Sequence, residues 1–139
     1  MNKLIRRNRR RRVVAIIVTI GVIIFFLYQF FNAIYGIEDL KENKVVITGI
    51  ITNVHKSQRN TGSGIDYKFF LNNKEFVGST GYMSLPTQFC ETLIGKSFPV
   101  IYSPNNIRNN VMLITNFRFK IYDMEQPDSL KWIEKYVQK

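Results

Sequence analysis

Reactive and cross-linking residues are scarce in this chain: 139 residues carry one cysteine, Cys90, and one histidine, His55. A lone cysteine excludes an intrachain disulfide, so the folded part must be held together by packing. A lone histidine with no neighbouring Cys/Asp/Glu cluster argues against a metal site of ordinary spacing. The glycines at 62, 64, 78 and 81 make neither a phosphate loop nor a strand-borne Gly-x-Gly-x-x-Gly. The ten acids are scattered and no pair has the setting of a glycosidase dyad. No cofactor is expected. A His55–Cys90 nucleophilic pair would require the two to meet in a concave site. Against it, Cys90 falls in the apolar pattern of a short helix, where single cysteines are usually inert. The chain also has many asparagines but no Asn-x-Ser/Thr acceptor.

Acidic residues are absent before Glu38, and the charge is correspondingly segregated. Of 20 basic residues, seven lie in the first 12 positions: Lys3, Arg6, Arg7, Arg9, Arg10, Arg11 and Arg12. The remaining 13 face all ten acids, so the rest of the chain has a net charge of only +3 against +10 overall. Such segregation points to a local role at the N-terminus and away from a general polyanion-binding surface.

Residues 13–37 contain no charged side chain. As a helix, a stretch of that length covers roughly 37 Å, more than the ~30 Å hydrocarbon core of a bilayer. Only Thr19 and Gly21 interrupt its most apolar portion, and a threonine hydroxyl can bond to a carbonyl one turn back. Tyr28, Gln29, Asn32 and Tyr35, with phenylalanines among them, suit the headgroup level at the exit. A basic flank before the span and a mixed flank after it predict an N-terminus in the cytoplasm and an exported C-terminal domain. A cleaved signal peptide fits less well, since the apolar stretch is too long and the pattern around Ala33 is a poor cleavage site. A buried globular helix fits less well still, because the stretch is apolar on every face. The organisation expected is a basic cytoplasmic arm (1–12), a transmembrane signal-anchor helix (13–37), a polar connector (38–43) and a β-rich soluble domain (44–139).

Within that domain, β-branched residues predict a strand over 44–54, with Gly49 marking a bulge or bend. A flexible loop is expected at 58–64. Strands 65–71 and 74–80 are joined by Asn72-Asn73, a pair that tolerates the positive φ of a tight hairpin. Tyr67, Phe69 and Leu71 share one face of the first of these strands. Pro86 and Gly95 bracket a short helix within 84–95. A strand at 98–102, a turn at 103–106 and a strand at 111–121 follow, the last with Phe117, Phe119 and Ile121 alternating with polar residues. The segment 127–137 reads as a terminal helix that packs through Leu130, Ile133 and Val137, with Trp132 and Tyr136 in a second row. The fold class expected is therefore a single N-terminal transmembrane α-helix plus a mainly-β domain. That domain is a five-stranded OB-like (or SH3-like) small barrel with a short helix between strands 3 and 4 and a C-terminal helix.

Gly49, Phe76-Val77-Gly78, Gly95 and the Val100–Asn106 turn carry a likeness across residues 44–115. On these positions the chain resembles a broad family of uncharacterised bacterial membrane proteins in which a transmembrane helix adjoins a small β-domain. Ile107 stands where that family often has a second proline. The resemblance implies a bacterial cell envelope setting and no catalytic residues. The expected function is non-enzymatic: a single-pass envelope interaction or structural module, whose partners are the lipid bilayer and another membrane or envelope protein. The alternative is a tethered OB-like binding domain for nucleic acid or another anionic ligand, with Tyr67, Phe70, Lys68, Lys74 and Tyr82 as its surface. Nucleic acid is disfavoured by the expected export and by the domain's small net charge. Core packing also accounts for most of those aromatics.

Overall fold

A computed structural model of the chain describes the backbone of residues 2–56 and 62–138, and the side chains of 13–32, 34–56 and 62–138. The loop expected at 58–64 lies largely outside the described residues, as do the side chains of the basic arm. The chain divides into two compact units, Met1–Ile37 and Glu38–Lys139.

The first unit is helical. Helix α1 (Asn2–Asn43) contains one stretch, Val13–Asn43, long and apolar enough to cross a membrane. Its large apolar side chains are exposed, from Val13 through Phe31. Thr19 Oγ1 donates to the carbonyl of Ala15 at 2.9 Å, the local bond that makes a hydroxyl cheap in an apolar medium.

The second unit is a five-stranded antiparallel, nearly closed barrel. Its strands are β1 (Val45–Lys56), β2 (Ser63–Leu71), β3 (Lys74–Tyr82), β4 (Ser97–Ser103) and β5 (Asn106–Met112), in the order β3-β2-β1-β4-β5. The long β1 serves two partners: Val45–Ile50 pairs with β4, and Gly49–Lys56 pairs with β2. Gly49 stands where both pairings overlap. A Cβ there would come within 2.6 Å of Val100 Cγ2, so close packing requires the glycine. Of the bulge or bend expected at Gly49, the register shift itself falls two residues on, between Ile51 and Asn53. Asn72 and Asn73 turn the β2–β3 hairpin with φ of 49° and 63°, as two positive-φ turn positions demand.

Helix α2 (Thr87–Glu91) lies between β3 and β4, with Pro86 as its N-cap. Gly95 takes φ +81° beyond its end. The chain there ties onto β1, Gly95 N–H to Ile51 O at 2.9 Å and Ile51 N–H to Lys96 O at 3.1 Å.

Strand alternation makes two cores. Ile51, Ile65, Phe69, Val100, Met112 and Cys90 belong to the barrel interior. Their neighbours Ile101 and Leu113 face the other way and build a second cluster with Leu40, Phe119 and Tyr122. Fully burying a Leu or Phe stabilises by about 1.5–3 kcal/mol, so this outer cluster is substantial. Residues 38–43, expected as a polar connector, are the last turns of α1, and Leu40 is fully buried.

One further expectation is corrected. The strand expected over 111–121 ends at Met112, and Asn116–Ile121 forms helix α3. Leu113 N–H still bonds Pro99 O at 2.8 Å, but a proline has no N–H to return, and the ladder stops. Thr115 Oγ1 then accepts the Arg118 N–H and caps α3. The terminal helix expected over 127–137 is present as a 3₁₀ helix, Asp128–Tyr136, closed by bonds such as Leu130 N–H to Pro127 O. Ile133 is buried beneath it, with Leu130 and Val137 half-buried, as the sequence pattern implied.

Candidate binding surface

The five residues expected to share one surface are divided by the barrel wall. On the outer face of β2, Phe70 is 48% exposed, and Lys68 Nζ lies 5.7 Å from its ring centre. The same ammonium pairs with Glu75 Oε2 at 3.1 Å, across the hairpin. Much of the positive charge this face would offer an anion is therefore already matched. Lys74 sits by the turn, its Nζ 5.5 Å from the Phe76 ring, which itself stacks on Phe69 at 5.8 Å. Tyr67 and Tyr82 are not surface residues: they are 1% and 3% exposed, inside the barrel. Their place follows from strand alternation, since Tyr67 shares the inward face with Phe69, and Tyr82 shares it with Thr80.

What the two tyrosines do is close the barrel. The edge strands β3 and β5 are not joined by a backbone ladder. Thr80 Oγ1 accepts from Met112 N–H at 3.2 Å, and Tyr82 O–H donates to Met112 O at 2.5 Å. Tyr67 O–H donates to Asn110 Oδ1 at 2.8 Å. That commits the Tyr67 hydrogen, so in the 3.2 Å contact between Tyr67 and Thr80 the threonine is the donor. Asn110 is fixed in turn by its own Nδ2, which donates to Ile107 O at 2.8 Å. Burial pushes the Tyr67 phenol up to about 12, despite its hydrogen bonds. Burial pushes Tyr82 higher still, although the Arg118 guanidinium, 5.5 Å over its ring, acts the other way.

His55 and Cys90 do not meet. The His55 ring lies over Gly64, where an added Cβ would come within 2.1 Å of Nε2. Its Nδ1 is 3.4 Å from Asp66 Oδ2. Burial raises the Asp66 carboxyl, but hydrogen bonds from Ser79, Asn53 and His55 outweigh it and leave the group below its usual range. Cys90 is buried on the opposite face of β2, beside Ser63, and burial pushes its thiol up. A raised, buried thiol is a poor nucleophile.

Two concave regions lie elsewhere on the domain. One, about 610 Å³, is lined by Lys120, Gln126, Lys131 and Glu134 among others. There Glu134 Oε1 accepts from Asn116 N–H at 2.7 Å and from Gln126 Nε2 at 3.1 Å, which pins α3 to the 3₁₀ helix. The other, about 370 Å³, is more apolar and lies among Tyr82, Met83, Phe117, Arg118 and Val137. Met83 is 82% exposed and Phe117 70%. This cleft is hidden in the sequence, because a strand over 111–121 puts Phe117 and Phe119 on one face. On the helix they separate, Phe119 into the outer cluster and Phe117 into solvent. The Thr115 cap position was the signal available.

No protein-family model, curated protein or solved structure matches the chain.

Proposed function

We propose that the chain is a single-pass membrane protein of the bacterial cell envelope, with its N-terminus in the cytoplasm and the barrel domain outside. In this reading the domain is a non-enzymatic module that contacts another membrane or envelope protein. One observation carries the proposal: a stretch of 25 uncharged residues lies in one exposed helix and follows seven basic residues without an acid. Exposed apolar side chains along that helix are stable in lipid and costly in water. The basic arm supplies the directional signal. The separation of His55 from Cys90 by β2 supports a non-enzymatic role. The experiment is a pair of reporter fusions at Lys139, one active only in the cytoplasm and one only after export. Activity of the exported reporter is expected. Activity of the cytoplasmic one would remove both the topology and the envelope role.

The alternative, an OB-like domain binding nucleic acid or another anionic ligand, draws support from the strand order and from the short helix between the third and fourth strands. Lys68 over Phe70 and Lys74 over Phe76 would be its basic-aromatic elements. Titration of the detergent-solubilised chain with oligonucleotides at low salt tests it, and absence of binding there would retire it.

A further inference from the structure

Resting on the reading of the domain as a protein-binding module, we infer that the cleft beside Tyr82 docks a peptide segment of the partner in which an acidic residue follows a large apolar one. The case begins at Arg118. Its Nη2 donates to the carbonyl of Gly81, and its guanidinium lies 5.5 Å over the Tyr82 ring. These contacts hold the side chain, half-buried, in the lining of the cleft. Neither contact supplies a negative charge. Lys41, Lys68 and Lys131 each face a carboxylate, but Arg118 forms no ion pair among the described residues. A guanidinium has five N–H donors, and the carbonyl engages only part of that set. Held in place, partly desolvated and without a counter-charge, it is a prepared receptor for a carboxylate.

The apolar half of the site lies beside it. A Cβ on Gly81 would meet nothing within 4 Å, so the space over that residue is open. Met83 and Phe117 border the same cleft and are largely exposed. Among the described residues, no lysine and no acid lines it. Aromatic, Met and Arg side chains without Lys, Glu or Asp are the composition that marks the centre of a protein interface. A methionine also repacks readily around apolar groups of different shape. The surroundings are fixed in advance. Tyr82 is tied to Met112 O, Asn116 N–H to Glu134, and Gln138 N–H to Ser84 O at 2.8 Å. A preformed cleft has little ordering left to lose on binding. A small ligand within about 370 Å³ would leave Met83 and Phe117 largely in water, whereas a peptide segment laid across the cleft covers both. Charge and shape together select an apolar side chain over Gly81 with an acid beside it on Arg118.

The test titrates the full chain, in phosphatidylcholine nanodiscs, with the blocked dipeptide acetyl-Phe-Asp-amide and follows the Met83 methyl resonance by NMR. Acetyl-Phe-Asn-amide is the uncharged control. A saturable shift is expected with the first, and binding about tenfold weaker with the second, the factor carried by one charge-assisted hydrogen bond. Gly81→Leu should fill the cleft and abolish binding of both. Arg118→Gln should erase the difference between the two dipeptides. Because Arg118→Gln also removes the contacts to Gly81 and Tyr82, Gly81→Leu keeps the test decisive if that variant fails to fold. An unmoved Met83 resonance, equal affinity for the two dipeptides, or binding that survives Gly81→Leu would overturn the inference. Tighter binding of phenylpropionate than of acetyl-Phe-Asp-amide would assign the cleft to a free small carboxylate and overturn the peptide as its occupant. A silent dipeptide with an active exported reporter at Lys139 defeats this inference alone. A bound dipeptide with an active cytoplasmic reporter defeats the envelope role and leaves the cleft as argued.

Discussion

Tyr82 O–H reaches the main-chain carbonyl of Met112 at 2.5 Å, joining two strands that share no ladder. Both residues are buried, so no water is at hand to take the place of the phenol. The bond therefore does for the β3–β5 seam what a pair of backbone bonds does elsewhere in the sheet. Tyr82→Phe would keep the ring and strand the carbonyl. Leaving a buried acceptor unpaired costs about 1–3 kcal/mol. Urea unfolding of the full chain in detergent should show that loss as a lower midpoint with an unchanged slope.

The same seam distinguishes two glycines of one strand. A Cβ on Gly78 would come within 2.1 Å of Asn110 Oδ1 and 2.6 Å of the Tyr67 ring, the two atoms groups that meet across the gap. Gly81 has nothing within 4 Å. Gly78→Ala should therefore cost about 1–3 kcal/mol, as overpacking does, and Gly81→Ala should be near neutral. Melting temperatures of the two variants, measured side by side, check the contrast. Equal destabilisation would show that the cost is general to alanine in β3 and unrelated to the seam.

How far these features were legible in the sequence depends on how local their causes are. Asn72 and Asn73 announced a tight hairpin because the requirement for positive φ acts on those two residues alone. The inward face of Tyr67 and Phe69 follows from alternation on one strand. The seam was not legible, since Thr80, Tyr82 and Met112 are brought together only by curling of the whole sheet. Nor was α3. Six residues of alternating character fit a strand pattern as readily as a helical one, and the deciding fact is a proline on another strand that cannot extend the ladder. The five-residue surface is divided for a related reason: the strand sends aromatic and basic residues that are adjacent in sequence to opposite faces.

Leu40 gives a prediction about where the domain begins. It lies in a run of charged and polar residues that reads as a connector, yet it is 1% exposed among Ile101, Leu113, Phe119 and Tyr122. Leu40→Ala should remove about 2–5 kcal/mol, the usual range for a buried leucine. Glu42→Ala, at an exposed position two residues on, should change little. Hydrogen exchange at Ile101 and Leu113 would register the first substitution and not the second.

Alkaline pH should open the barrel, and the sign follows from the buried phenols. Tyr67 ionises in an unfolded chain near 10.0, but burial pushes it up to about 12 in the fold, and Tyr82 and Tyr122 shift in the same direction for the same reason. A group with a raised folded value keeps its full stabilising contribution below the unfolded value. Between the two values the unfolded state releases the proton and the folded state holds it, so stability falls as pH rises. Stability attributable to Tyr67 should thus be constant up to about pH 10 and decline from there toward about 12. The slope is roughly 1.4 kcal/mol per pH unit for each such phenol. Urea midpoints measured across that window, with phenolate absorbance followed in the same samples, check it. Ionisation of all seven tyrosines with ordinary values, before any loss of structure, would contradict the buried, hydrogen-bonded placement of Tyr67 and Tyr82.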